Sequence, residues 1–474
     1  MKKIVVAIFS LLLAGTGVVS ASSTLVRSAV EFRKVAGRML PGDTLVLADG
    51  IWKDADLVID SKGKPGLPVC VRAQTPGKVK LTGGSRLEIN GRHIVVSGLW
   101  FYGPSTRKDF GVIIFGKKSS FCRVTDTRVE STDMIDADRD NWILIWGKYN
   151  RFDHCSVVGK KLPGQTLRYL ENAPARPGDN FNRVDSCYFG PRPNINANGG
   201  ESIQFFDKMF GGDTFEYNIM EECNGEAEII SVKSNRNTIR GNVFIRCWGE
   251  VVNRRGFSNS YLNNYFFGHG APGTGGIRIS DRDNRVINNY FQDLTLRGLE
   301  VKNGDTTNFY LPVRDLVVAH NTWINCDSTI KYGSGHRFKA HCFIPPVLDF
   351  ANNIIVSSKG PQIFYYDQEH DPQVKYFANI FHGAPLGVDR PEGDIRDVDP
   401  EMQAVNINGY TLYKPASDGP AIGQAGYAYE YADRDIEGKT RGWAKDLGCC
   451  QMSDAVVVTM PIARSAVGPR WEKK

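Results

Sequence analysis

Beyond its first 21 residues this 474-residue chain has no apolar run approaching the roughly 20 residues that a membrane helix needs. No further span is therefore expected. It has no Cys-x-x-Cys pair or similar ligand spacing, which argues against a zinc site. It has no concentrated basic helix and no aromatic-basic motif of the kind that reads nucleic acid. Neither sign of charge dominates: the formal net charge is +6, or about +4 without Lys2 and Lys3. That balance leans mildly toward an anionic partner, and an acidic polysaccharide suits it better than nucleic acid.

The beginning of the chain carries its own signal. Lys2 and Lys3 form a basic head, the run from Ile4 to Val19 is mostly apolar and broken by Gly15 and Gly17, and Val19, Ser20 and Ala21 end it in small side chains. This pattern predicts a secretory signal peptide over residues 1–21, cut after Ala21. A membrane anchor is the competing reading, and the short run with its small-residue end disfavours it. No cysteine stands where a lipid would be attached, so a soluble periplasmic or secreted protein is expected. The ten cysteines are Cys70, Cys122, Cys155, Cys187, Cys223, Cys247, Cys326, Cys342, Cys449 and Cys450. In a small secreted protein they would suggest a disulfide framework. In a mature chain of about 450 residues, buried free thiols acting as small hydrophobes are preferred.

One phrase recurs from residue 214 onward: TFEYNIMEEC, TIRGNVFIRC, SYLNNYFFGH, RVINNYFQDL, VVAHNTWINC, LDFANNIIVS and KYFANIFHGA. Each copy places an asparagine before two mostly apolar residues, giving Asn218, Asn242, Asn264, Asn289, Asn321, Asn353 and Asn379. Units of 22 to 32 residues with short β-rich runs, glycine and asparagine at the corners and no helical period predict an all-β fold, a single-domain right-handed parallel β-helix. Each coil must stack on the next at about 4.8 Å, because it cannot bury its own apolar residues. The asparagines then share one corner and hydrogen-bond along the stack, and the cysteines ending several copies point inward. A propeller needs a longer repeat, and a leucine-rich solenoid would show its Leu-x-Leu frame.

The segment SAVEFRKVAGRML reads as a short amphipathic helix capping the first coil's open edge. Past about residue 390 the repeat fades into loops and short strands, expected to cover the far end. Residues 22–474 are thus read as one β-helix domain, with 390–474 as an irregular cap.

Chemistry gathers in CNGEAEIISVKS, residues 223–234. On a strand Glu226 and Glu228 share a face, while Ile229, Ile230 and Val232 supply core. An ordinary solvated face explains two glutamates taken alone. About one coil earlier, however, NINANGGESIQF brings Asn198 near them, with Asn196 as a second candidate amide. Two carboxylates and an amide oxygen are the hard ligands that calcium prefers, and like charges so close need a cation between them. One coil later GEVVNRRGFSN places Arg254 and Arg255 beside Lys233. His269 and Arg278 then extend a basic strip suited to a linear polyanion.

At this point the chain resembles polysaccharide lyase family 6, the alginate lyases and chondroitinase B. The resemblance rests on NGGESIQF, NGEAEIISVKS, the arginine of VVNRRG and GGIRI, in the family's order. It extends to the PGDT-type start and the GPAIG, DIEGKTRG and DLG ending. It implies a calcium site of Asn198, Glu226 and Glu228, with Lys233 as Brønsted base and Arg254 as Brønsted acid, while the basic strip, read from coil spacing, gives Arg255, His269 and Arg278 as expected substrate contacts. Where the family usually has Arg-His-Gly this chain has Arg254-Arg255-Gly256, which alters contacts near the cleavage point.

The expected reaction is β-elimination at a 1,4-linked uronate, with calcium (Ca2+) opposing the charge that develops beside C5. A guanidinium gives up its proton reluctantly, so water is the alternative donor to Arg254. The expected substrate is alginate, mannuronate-rich. The rivals are dermatan sulfate, pectate and, from outside the enzymes, a non-catalytic polysaccharide-binding β-helix.

Overall fold

The computed structural model describes residues 21–170, 178–206, 210–334, 343–366, 371–389 and 393–473. The expected leader, apart from Ala21, and Cys342 lie outside these residues. The fold is a parallel β-helix. Twelve short strands, from Asp56–Ile59 to Ile363–Tyr365, stack in parallel on one face. The remaining coil strands form two further parallel stacks, which share the long strand Gln373–Gly383.

Strand alternation explains the core. Ile203, Ile230, Val251, Ile277, Leu299 and Ile330 pair in succession along the twelve-strand face. All six are fully buried, and each contributes on the order of 1.5–3 kcal/mol by leaving water. On another side Phe244, Phe266, Phe291 and Trp323 stack at 4.5, 4.8 and 5.0 Å between ring centroids. The nine described cysteines are free, and eight are buried. Six of them, from Cys122 to Cys326, belong to the main core.

The asparagine repeat forms one continuous ladder. Each Nδ2 from Asn218 to Asn353 donates to the Oδ1 of the next asparagine at 3.0–3.1 Å. Each backbone N–H donates to that same oxygen. A second ladder, unnoticed in the sequence, runs five residues ahead of the first through Asn182, Asp213, Asn237, Asn259 and Asn284.

The only α-helix among the described residues, Ala29–Ala36, is capped by Ser28, whose hydroxyl accepts from the Glu31 N–H. It packs Phe32 and Ala36 over the first coil. No helix among the described residues is long and apolar enough to cross a membrane. The segment after residue 393 lies along the flank of the coils. The Tyr413 N–H donates to the Tyr290 hydroxyl, Arg441 reaches Asn288, and Arg470 pairs with Asp126 near the N-terminal coils. Its apolar residues Leu412, Ile436 and Val467 cover outward-facing Tyr265, Phe267 and Tyr290.

Candidate functional site

The site stands on the outer surface of the twelve-strand face. Between strands Glu228–Val232 and Gly249–Asn253 the register slips by one residue, so Glu228 faces Glu250 while Ile230 faces Val251. This bulge resolves a parity problem. Ile229 and Ile230 are adjacent and both belong to the main core, whereas a regular strand points neighbours to opposite faces, and the extra residue lets both enter the core while Glu228 stays outside.

Two glycines hold Glu226. The N–H groups of Gly199 and Gly200 donate to its Oε2 at 2.6 and 3.2 Å. A Cβ on Gly200 would stand 2.5 Å from the Gly225 carbonyl oxygen, so only glycine lets the two coils approach this closely.

Glu201, Glu226 and Glu228 each offer a carboxylate oxygen, all within 4.8 Å of one another. Oxygens on one calcium lie about 2.3–2.6 Å from it and so within about 5 Å of each other. The cluster therefore fits a hard divalent cation. Glu201 and Glu228 are 3% and 8% exposed. Burial raises the Glu226 carboxyl above its usual range, and the charges of Glu201 and Glu228 add to that rise despite the glycine N–H donors. Burial acts on Glu201 in the same direction, but Lys233 and the Gln165 amide outweigh it and bring that carboxyl down.

Cations frame the cluster. Lys233 Nζ lies 3.4 Å from Glu201 Oε1. Arg254 Nη1 and Arg278 Nη2 reach Glu228 Oε1 at 3.2 and 3.0 Å, and the Ser231 hydroxyl donates to Oε2 at 2.6 Å. Arg278 also lies 3.8 Å from buried Glu250, whose carboxyl is pushed up to about 7 by burial and by Glu300. The Arg254 guanidinium packs over the rings of Tyr310 and Phe309 at 5.3 and 5.9 Å, and Arg255 over Phe309 at 5.9 Å. Lys233 and Arg254 are neighbours in one outward row, because Val232 pairs with Asn253 just before them. Gly256 follows with φ +118°, and a Cβ there would stand 2.1 Å from the Ser234 carbonyl oxygen.

A groove of about 900 Å³ runs over these residues, with Asn198, Phe206, Lys233, Arg254, Arg255 and Phe257 in its walls. The structure thus brings Asn198, Glu226, Glu228, Lys233, Arg254 and Arg255 together. Asn198 stands exposed on the rim. Arg278 joins the acidic cluster rather than lining the groove. His269 is not among the groove's lining residues: it stands at another corner, beside Phe267 and under the charges of Arg246 and Asp293. Glu201 was missed, although it directly follows the glycine pair in NGGESIQF. Phe309 and Tyr310 come from a loop without the repeat's phrase, and nothing in the sequence ties them to Arg254.

The sequence model of the chondroitinase B family matches residues 26–419. No match was found among curated protein sequences. Among solved structures the chain is similar to the PL6 family alginate lyase AlyGC, with a TM-score of 0.79 and 30% identity over 95% of this chain. It spans only 58% of that longer protein. A mannuronic acid specific family 6 lyase from human gut microbiota gives a TM-score of 0.71 and 26% identity, over 80% of this chain and 92% of its own. The family 6 lyase Pedsa3628 from Pseudopedobacter saltans gives 0.68 and 25%, over 80% and 94%. With the family model spanning most of the coils and these neighbours sharing the fold, the chain belongs to the chondroitinase B family of polysaccharide lyases, family 6.

Proposed function

We propose that the protein is a calcium-dependent alginate lyase that cleaves mannuronate-rich chains by β-elimination. The observation that carries this reading is the adjacent outward pair Lys233 and Arg254, each ion-paired to a carboxylate of one metal-capable cluster. A non-catalytic binding protein has no need of such a pair. Glu201, Glu226 and Glu228 are the residues that would hold the ion, with Asn198 on the rim. When bound, the ion supplies positive charge that steadies the substrate carboxylate as it takes on enolate character.

The chain's own residues do the rest. Lys233 Nζ, acting as the neutral amine after giving up one proton to solvent, accepts the proton from C5, and the C5–H electron pair becomes the C4=C5 double bond. The C4–O4 bond breaks with its electrons on oxygen. Arg254, held by Glu228 and two aromatic rings, faces that leaving oxygen and donates to it, or orients the water that does. Arg255 offers the approaching chain an exposed cation.

Alginate is favoured over dermatan sulfate by the alginate lyases among the similar structures and by the mild net charge, which suits one carboxylate per sugar. The mannuronate preference is drawn from the gut relative. A periplasmic or secreted location is proposed on the leader sequence alone. The test is to offer polymannuronate, polyguluronate and dermatan sulfate separately and follow the ultraviolet absorbance of the unsaturated product. Polymannuronate should give the fastest rise. A faster rise on dermatan sulfate would overturn the substrate, and no rise on any of them would overturn the lyase reading.

A further inference from the structure

The outward row that carries the catalytic pair does not stop at the groove. Leu170 pairs directly with Phe206, and Phe205 pairs with Val232, so Leu170, Phe206, Lys233 and Arg254 follow one another up the face. In the other direction Ile145 pairs with Tyr169 and Phe115 with Ile145, which places Trp146 next below Leu170 and Gly116 below Trp146. Trp146 is therefore three coils from Lys233, about 14 Å along the stack. The row between them is apolar.

Trp146 opens onto a second groove of about 780 Å³. Its indole is only partly buried, and no ring stacks on it among the described residues. The neighbouring position in the preceding coil is Gly116, which has no side chain to cover the ring. Lys62, Lys117 and Lys118 stand exposed around the same groove. Neither Lys62 nor Lys118 pairs with a carboxylate among the described residues. Of the two acids in the lining, Glu88 is already engaged by Arg86 at 3.3 Å and by the Asn90 amide at 2.9 Å, which leaves Asp60 against the cations.

We propose that this groove is a second, distal binding site for a uronate segment of the polysaccharide chain being cleaved. An indole face packs against the apolar face of a sugar ring, and the lysines pair with its carboxylates. A chain lying along the row reaches it directly from the catalytic groove. The proposal rests on the reading of that groove as a polyuronate lyase site, and it adds a length requirement: only chains spanning three coils engage both.

The test separates the two readings. In the Lys233→Ala protein, which needs no turnover, native electrophoresis through gels containing polymannuronate should retard the band, and a neutral polysaccharide should not. Adding Trp146→Ala, or Lys62→Ala with Lys118→Ala, should weaken that retardation several-fold, with melting temperatures matching the parent. In the active protein the same changes should lower the ratio of kcat/KM on polymer to kcat/KM on trisaccharide several-fold. Equal retardation in both folded variants, or an unchanged ratio, overturns the distal site. If no polyuronate is cleaved, the lyase reading fails, and the gel still decides the site.

Discussion

Two regions of this β-helix use polar residues in opposite ways. The Asn218 to Asn379 ladder repeats one side chain, and every link is satisfied by the coil above, in the buried interior. On the outer face, successive coils carry Glu201, then Glu226, Glu228 and Lys233, then Arg254, then Arg278. Different residues meet there, Glu226 is held above its usual range by burial and like charge, and a bulge and two glycines are needed to position them. Repetition builds the scaffold, and the break in repetition builds the site. The ladder is complete in itself, whereas the site keeps Glu226 beside the like charges of Glu201 and Glu228.

The largest expected break comes from Lys233→Ala. Loss of a general base should cut turnover by about 10²–10⁴-fold or more. The side chain is 27% exposed, so the melting temperature should stay near the parent's. Loss of activity together with unfolding would place Lys233 in the scaffold instead.

Glu226→Gln sharpens the contrast through a sign. A carboxyl raised above its unfolded value contributes stability that is present below the unfolded pKa and lost as pH rises through the folded value. In the metal-free protein the ionised form of Glu226 is therefore the unfavourable one, and the amide should raise the melting temperature at pH values where that form is populated. The same change should remove most of the stabilisation that calcium gives the parent. Calorimetric scans with calcium and with chelator check both signs.

Asn264→Ala should do the reverse, lowering stability by about 1–3 kcal/mol because buried backbone and amide groups lose their partner. The activity of the folded fraction should persist, as denaturant melts paired with initial rates would reveal. The smallest effect is expected from Arg255→His, a few-fold change in KM, since Arg255 is exposed and makes no ion pair among the described residues.

The sequence made the ladder legible because its asparagines recur beside the same apolar pair, and it made the charged coil legible because Glu226, Glu228 and Lys233 interrupt a strand. Register decided what was missed. Glu201 lies in a quoted block, but only the stacking of Gly200 on Gly225 turns it toward Lys233. His269 was placed on the basic strip by spacing alone, and the coil's corners carry it elsewhere. The aromatic partners of Arg254 come from a loop that Asp305 organises by accepting from the Thr307, Phe309 and Tyr310 N–H groups. Such contacts have no repeat to announce them.

On the proposed function, calcium held by Glu201, Glu226 and Glu228 enables Lys233 to act on a polyuronate. The most direct measurement is the initial rate of ultraviolet absorbance growth on polymannuronate, started in chelator and titrated with free calcium. The rate should rise from near zero to saturation, with Glu226→Gln nearly flat over the same range. A full rate in chelator, unchanged by added calcium, would contradict it.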